Sequence, residues 1–221
     1  RSWSVIKKID FALFIPLGLG VILSIFFFSK LIKLFLENNP AMTFAFFFGL
    51  ILSSALIFIK KLGKKEFEKI VFVVLGFIFA YSLSEATALG NNHSLLMVFF
   101  SGALAICAML LPGISGAFIL LLLGQYQFLI DSLHSYEVFV LLTFFAGAIS
   151  GLVTFSKVVN FFLRKFKFLT LAFLVGLMVG SLRVPMIEIS NNGGVGLMVF
   201  LFGLLGFFLI FLLEKVFAKK K

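Results

Sequence analysis

The sequence predicts an all-α polytopic membrane protein, built as an inverted structural repeat with a re-entrant helical hairpin. Three observations carry that prediction: too little charge to cover a water-facing surface, an alternation of basic and base-free loops, and self-similarity at a shift of 127 residues. Of the 221 residues 62% are hydrophobic, 34 are Phe and 13% are charged, with mean hydropathy +1.21. Soluble domains are roughly half apolar and about a quarter charged. Most of this surface therefore faces lipid, and soluble, fibrous and disordered chains are excluded. Apolar stretches of span length cover residues 10–36, 42–59, 70–89, 138–163, 168–187 and 195–217, with a further apolar region at 95–130. The first is too long for a signal-peptide core, and no small-residue cleavage site follows it. The pattern holds from 1 to 221, so a single transmembrane domain is expected.

The net charge of +10 is sorted by loop. Lys7 and Lys8 precede the first stretch, and Lys60, Lys61, Lys64, Lys65 and Lys69 follow the second. Arg164, Lys165 and Lys167 lie between the stretches 138–163 and 168–187, and Lys215, Lys219, Lys220 and Lys221 close the chain. The loops at 37–40, 90–93, 131–137 and 188–194 carry no Lys or Arg. Basic loops stay cytoplasmic, which puts both ends of this chain inside and accounts for the basic excess without nucleic acid. His93 and Glu137 then share the outer side, so the region between them enters and leaves by one face. The string Pro112-Gly113-Ile114-Ser115-Gly116 breaks it, because Pro lacks a donor and Gly relaxes the backbone. Each arm has about 14–17 residues, short for a span, which favours a re-entrant hairpin over two full crossings. Irregular backbone at membrane depth must be buried in protein or line a cavity.

The 127-residue shift lays Phe28-Ser29-Lys30 on Phe155-Ser156-Lys157 and Gly20 on Gly147. It also lays Thr43, Phe46, Gly49 and Ser54 on Thr170, Phe173, Gly176 and Ser181. The charge pattern orients the two copies oppositely, as in many transporters with a midplane site. Residues 1–93 form the first repeat and 94–221 the second, with the hairpin at 95–130. The hairpin's counterpart would precede Arg1. Together with the absence of an initial Met, this leads to the expectation of an N-terminally incomplete view, or of a natural short variant.

The residues that could carry chemistry are few. A helix restarting at Gly116 would offer backbone N–H groups to an anion, and Ser115 adds a hydroxyl; the other reading of Gly113, Ser115 and Gly116 is a kink that shapes the hairpin. Arg183 has the fork geometry that suits phosphate, or it snorkels to headgroups. Lys30 and Lys157 are related by the shift and lie inside apolar helices, where ionisable side chains are candidates for function; snorkelling explains each alone. Glu85 could carry a coupling proton, pair with Arg183, or be an interfacial carboxylate. Gln125, Tyr126 and Gln127 line a mouth or form a belt of aromatic and amide groups. Cys107 stands alone, so no disulfide framework is indicated. His93 and His134 lack ligands at metal spacing. No nucleophile–base set or phosphate-binding loop is visible. The expectation is a protein without cofactor or metal that is not an enzyme.

The string from Ala108 to Tyr126, with its central Pro-Gly-Ile-Ser-Gly, resembles the second signature of the PopT-like polyprenyl-phosphate translocase family. Phe46 to Leu52 and Leu171 to Arg183 are similar to that family as well. The family has a first signature, with Asp before its Pro-Gly, that this sequence lacks; it often has Glu where Gln127 stands here. The resemblance implies return of undecaprenyl phosphate from the outer to the inner leaflet of a prokaryotic plasma membrane, for recycling in cell-envelope synthesis. It implies headgroup contacts at Gly113, Ser115, Gly116 and Arg183. The expected partners are the polyprenyl-phosphate lipid and membrane lipids; a homo-oligomer stays open. Two other readings remain at this stage: a small-anion transporter or channel, which would need a continuous polar pore, and a membrane enzyme acting on polyprenyl phosphates. In the lipid-transport reading the two repeats rock to expose the site to each leaflet in turn, the prenyl tail staying in lipid through a lateral opening.

Cysteine labelling from the two sides of sealed vesicles checks the topology. Cysteines placed in the loops at 37–40 and 188–194 are expected to react from outside, whereas labelling at Lys64→Cys from outside would reverse the assignment.

Overall fold

The computed structural model describes residues 11–63, 67–84 and 92–218. Glu85 and the lysines at 7, 8, 64, 65 and 219–221 lie outside the described residues, as does the side chain of Lys30. The described chain is all helical: α1 (Phe11–Asn38), α2 (Pro40–Lys61), α3 (Phe67–Leu83), α4 (Leu95–Leu110), α5 (Gly116–Leu122), α6 (Tyr126–His134), α7 (Val138–Lys165), α8 (Lys167–Ser181), α9 (Arg183–Asn191) and α10 (Leu197–Ala218). Among the described residues four helices are long and apolar enough to cross a membrane: α2, α7, the α8–α9 pair and α10. The bent pair α5–α6 raises that to five if it counts as one span.

Local chemistry sets the helix ends. Pro40 starts α2, where its missing N–H costs nothing. Lys60 and Lys61 close α2 in the last turn, where a cation meets the helix's negative end, and Gly63 follows at φ +71°. Ser94 caps α4 by accepting a hydrogen bond from the Met97 N–H at 3.4 Å. The stretch expected to run unbroken to 187 is interrupted at Leu182. Pro185 is the cause: it has no N–H to give the Ser181 carbonyl four residues back, and a new helix starts at Arg183. The second arm of the hairpin region also differs from expectation. It is not one arm of about 14–17 residues but seven-residue α5, then a 100° bend, then nine-residue α6. Gly124 (φ +65°) makes that bend. The Gln125 N–H donates to the Leu120 carbonyl and the Gly124 N–H to that of Leu121, the paired bonds of a glycine helix stop.

Packing divides the helices into two groups. One holds α4, α5, α6 and α7; the other holds α2, α3, α8, α9 and α10. Within each, the main pairs meet at glycines. A Cβ at Gly147 would overlap the Phe99 carbonyl oxygen, and one at Gly151 would lie 2.7 Å from the Ala103 backbone. Residue numbers on α4 and α7 rise together along this contact, so the two helices run parallel. On the other side, a Cβ at Gly176 would overlap the Val73 carbonyl, and one at Gly180 would lie 2.6 Å from that of Phe77. Gly49 and Gly206 bring α2 and α10 together in the same way. Lipid tails are as apolar as Leu, so helices in a bilayer gain little by merely burying apolar side chains. Small residues that let backbones approach are what hold such pairs.

Helix lengths echo the 127-residue shift. α1 and α7 each have 28 residues, and their bounds differ by 127 at both ends. After one linking residue, α2 and α8 start at positions that also differ by 127. Lys60, Lys61, Lys69 and Lys165 gather at one end of the bundle: Lys61 pairs with Glu214 at 3.6 Å, Lys60 lies over Phe211, Lys69 over Phe168 and Lys165 over Phe166.

Gly147 and Gly20, related by the shift, provide a matched test. Among the described residues nothing lies within 4 Å of a Cβ built at Gly20. Gly147→Ala is expected to destabilise the purified protein by about 1–3 kcal/mol through overpacking, and Gly20→Ala to leave it unchanged or raise it by up to about 1 kcal/mol. Thermal melts in detergent decide it; equal melting of the two variants would refute the crossing as a stability determinant.

Candidate functional site

The Pro112 string forms the turn between α4 and α5 and lies where the two helix groups meet. Leu111 leaves α4 extended, its N–H still bonded to the Ala108 carbonyl at 3.0 Å. Gly113 then takes φ +91°, a region closed to most L residues. A Cβ there would lie 2.9 Å from both the Leu177 carbonyl oxygen and the Ser181 hydroxyl. Two constraints thus demand glycine at one place: the turn of the backbone and its close seating on α8. Ser115 restarts the helix as its cap, its hydroxyl accepting from the Phe118 N–H at 3.4 Å. The same hydroxyl still has a proton to donate. The N–H groups of Gly116 and Ala117, in the first helical turn, have no intrahelical acceptor by geometry.

A cavity of about 580 Å³ opens beside this turn. Its walls come from α2 (Phe44, Phe47), α3 (Ala80, Ser84), the turn and α5 (Gly113, Ser115, Phe118), and α8–α9 (Ser181, Pro185). The lining is mostly apolar, with the hydroxyls of Ser84, Ser115 and Ser181 set into it. The Ser84 hydroxyl donates to the Tyr81 carbonyl at 2.6 Å, and the Ser181 hydroxyl to that of Met178 at 2.8 Å.

Of the residues singled out from sequence, Gly113 and Ser115 are brought to this cavity. Gly116 is not: it is buried against α4, where a Cβ would lie 2.6 Å from the Ala105 carbonyl oxygen and from Met109. Arg183 stands between two wall residues of the chain, Ser181 and Val184, but does not itself line the cavity. Its guanidinium stacks on Tyr81, 4.1 Å from the ring centre, and donates to the Tyr81 carbonyl at 3.4 Å. Lys157 is exposed on α7, beside a second cavity that its neighbours Phe155 and Val158 line and it does not. Ser84, Ser181 and Tyr81 were not singled out from sequence as site residues. Ser181 had a signal, its match to Ser54 across the shift; Tyr81 had none beyond being an aromatic near a span end.

Gln125, expected to line a mouth or join a belt, is fully buried. Its amide nitrogen donates to the carbonyls of Asn92 at 2.6 Å and Leu123 at 3.2 Å, and its oxygen lies 3.4 Å from His93 Nδ1. His93 in turn stacks on Phe128 at 4.3 Å. This knot ties the segment entering α4 to the α5–α6 bend. Among the described residues no group of His, Cys, Asp and Glu could hold a metal ion.

The sequence profile of the undecaprenyl phosphate translocase-like family matches residues 1–192, and the chain belongs to that family. A Vibrio cholerae protein named polyprenyl-phosphate transporter is 38% identical over 178 residues, covering 80% of this chain and 58% of its own length. A Staphylococcus aureus protein of the same name is 27% identical over 215 residues, covering 88% of this chain and 76% of its own. The chain thus spans less than two thirds of the length of the Vibrio relative. No solved structure matches the chain.

Gln125→Met keeps the side-chain volume and removes the knot. With the Asn92 carbonyl left unpaired, a cost of about 1–3 kcal/mol is expected, seen as faster hydrogen exchange across residues 92–98. Unchanged exchange there would show that the knot holds nothing.

Proposed function

We propose that this member of the undecaprenyl phosphate translocase-like family carries a polyprenyl phosphate across the prokaryotic plasma membrane, returning the lipid carrier for cell-envelope synthesis. The observation that carries the reading is the cavity at the Pro112 turn: an apolar chamber with Gly113, the Ser115 cap and Ala117 of the first turn of α5 at one wall. A phosphate monoester there meets the proton of the Ser115 hydroxyl, held in place by its cap to the Phe118 N–H before the phosphate arrives, and a fixed donor loses little freedom on binding; the Ser84 and Ser181 hydroxyls already give their protons to backbone carbonyls. Such a lining suits an amphiphile. A small free anion would have to enter past phenylalanines without the polar path it needs, which speaks against a soluble-anion channel. The names of the two relatives point the same way.

In this reading Ser115 donates to a phosphate oxygen while its lone pair keeps the cap of α5. Arg183 sits two residues from Ser181 on a chain segment that walls the chamber, and swinging its guanidinium off Tyr81 brings a bidentate cation to the phosphate. Lys30 and Lys157 serve as charge sites nearer the two leaflets, and Glu85 as a coupling acid. The basic end of the bundle, where Lys60, Lys61, Lys69 and Lys165 gather, faces the cytoplasm.

The architecture in this proposal is an inverted repeat with α4–α5 as a re-entrant hairpin. Its support is the 127-residue offset shared by α1 with α7 and by the starts of α2 and α8, together with the shortness of the arms. At 1.5 Å per residue α4 reaches about 24 Å and α5 about 10 Å, against roughly 30 Å of hydrocarbon. Movement follows from the packing: the α4–α7 group rocks against the five-helix group about the Gly113 contact, opening the chamber to either leaflet in turn.

The test is a flip assay with labelled polyprenyl phosphate in liposomes, using the full-length protein. Arg183→Ala and Ser115→Ala are each expected to slow transport about tenfold or more, the loss of a charge-assisted or hydroxyl contact to phosphate. Wild-type rates in both variants would show that the chamber is not the headgroup site.

A further inference from the structure

A second cavity, of about 520 Å³, lies between α3, α7 and α8. Its wall is entirely apolar and is dominated by six phenylalanines: Phe72 and Phe79 on α3, Phe155 and Phe162 on α7, Phe166 and Phe173 at and on α8. Each pair is seven residues apart, two helical turns or about 10 Å along its helix. The rings of Phe79 and Phe173 approach to 6.4 Å and those of Phe162 and Phe166 to 6.5 Å, so aromatic contacts tie the walls together at two levels. Thr170, the one wall residue with a polar atom in its side chain, turns its hydroxyl to the Phe166 carbonyl at 2.9 Å. It leaves its methyl for the cavity. Water finds no partner against such a wall, and Phe72, Phe79, Phe162 and Phe166 are also exposed at the protein surface, so the cavity suits an apolar occupant and opens to the surrounding lipid.

The position of the cavity identifies which hydrocarbon. Leu111 lines this cavity, and Gly113, two residues on, lines the hydroxyl-bearing one. Two residues of extended chain span at most about 7 Å, so the turn is a thin partition between a place for phosphate and a place for an apolar chain. Along α3 the same division occurs: Phe79 belongs to the second cavity and Ala80 to the first. The seam between the two helix groups therefore carries an amphiphile's two environments side by side.

We propose that this aromatic cavity is the binding site for the isoprenoid chain of the polyprenyl phosphate, taking the units that follow the first two, which pass around the turn, while the rest of the tail runs out into the bilayer. The inference rests on the transport reading above and assigns the tail a site on the protein rather than leaving it wholly in lipid. The cavity selects chains by length and shape. A methyl-branched, unsaturated prenyl chain fits an irregular phenylalanine wall along its length, whereas a headgroup with only one or two isoprene units leaves the cavity vacant and gains nothing from it.

Binding to the purified full chain in nanodiscs, measured with undecaprenyl phosphate, geranyl phosphate and phosphatidylglycerol as probes, tests this. Val158→Trp and Leu169→Trp fill the cavity from walls that are partly exposed, and Phe155→Ala enlarges it without crowding. The two Trp variants are expected to weaken undecaprenyl phosphate about tenfold or more, the loss of a few buried CH₂-sized contacts, and to change geranyl phosphate by less than about twofold on the same scale. Phe155→Ala is expected to weaken the long chain alone, to a smaller extent. Ser115→Ala is expected to weaken both prenyl phosphates. Wild-type affinity for the long chain in all three cavity variants overturns the tail site while leaving the headgroup reading standing. Phosphatidylglycerol competing as well as undecaprenyl phosphate also overturns it, because the cavity would then be a bulk-lipid groove. If wild type binds neither prenyl phosphate, the transport reading fails and the tail site with it.

Discussion

The close approach of backbones at glycine is the constraint on which the rest of this molecule depends. In water, helices are driven together by burying apolar faces; in lipid that drive largely vanishes, and contact has to come from backbones near enough for dispersion to act. Gly147 and Gly151 seat α7 on α4, Gly176 and Gly180 seat α8 on α3, and Gly49 and Gly206 seat α2 and α10 together. Gly113 extends the same device from helix to turn, placing a bend of irregular backbone against Leu177 and Ser181. The broken segment is held by protein on that side and faces a cavity on the other. That is the only kind of place where non-helical backbone is tolerated at membrane depth.

From that seating the two cavities follow. Because the turn seats one helix group on Leu177 and Ser181 of the other, space remains on either side of it, one side carrying hydroxyls and the other lined by phenylalanine, leucine and valine with Thr170. The arrangement separates polar from apolar within the length of two residues. Six of the 34 phenylalanines line the second cavity, and four of those, Phe72, Phe79, Phe162 and Phe166, are exposed at the surface as well.

Much of this was legible in the sequence, for identifiable reasons. Helix positions follow from runs of apolar residues bounded by Pro40, Gly63 and the lysines, and span ends such as 138 and 167 fell within a residue or so of the helices found. The break at Pro112-Gly113 was visible because both residues act through their own backbones. The interruption at Leu182 was available as well, in Pro185, but a proline near a span end is easily read as the end itself. The spacing of Gly147 with Gly151 and of Gly176 with Gly180 was equally open to inspection as small residues one turn apart. What could not be read was the role of a residue whose meaning depends on a partner far along the chain. Gly116 looks like a headgroup contact beside Ser115, yet its missing side chain serves the packing of α5 on Ala105 and Met109. Arg183 looks like an unshielded cation, yet it lies on Tyr81, 102 residues away.

The sequence by itself determined that this is an all-helical chain for a bilayer, roughly where its long apolar helices lie, and that one segment is broken at Pro112. Those properties are set by solvation and local backbone geometry, which each stretch of chain carries with it. Only the tertiary structure decided which face of each helix is covered, that Gln125 is a buried tie rather than a mouth residue, and that hydroxyl and phenylalanine walls stand on opposite sides of one turn. Those depend on which backbones come within contact distance, and in lipid that is settled by the fit of small residues between partners distant in the chain rather than by any property of the residues alone.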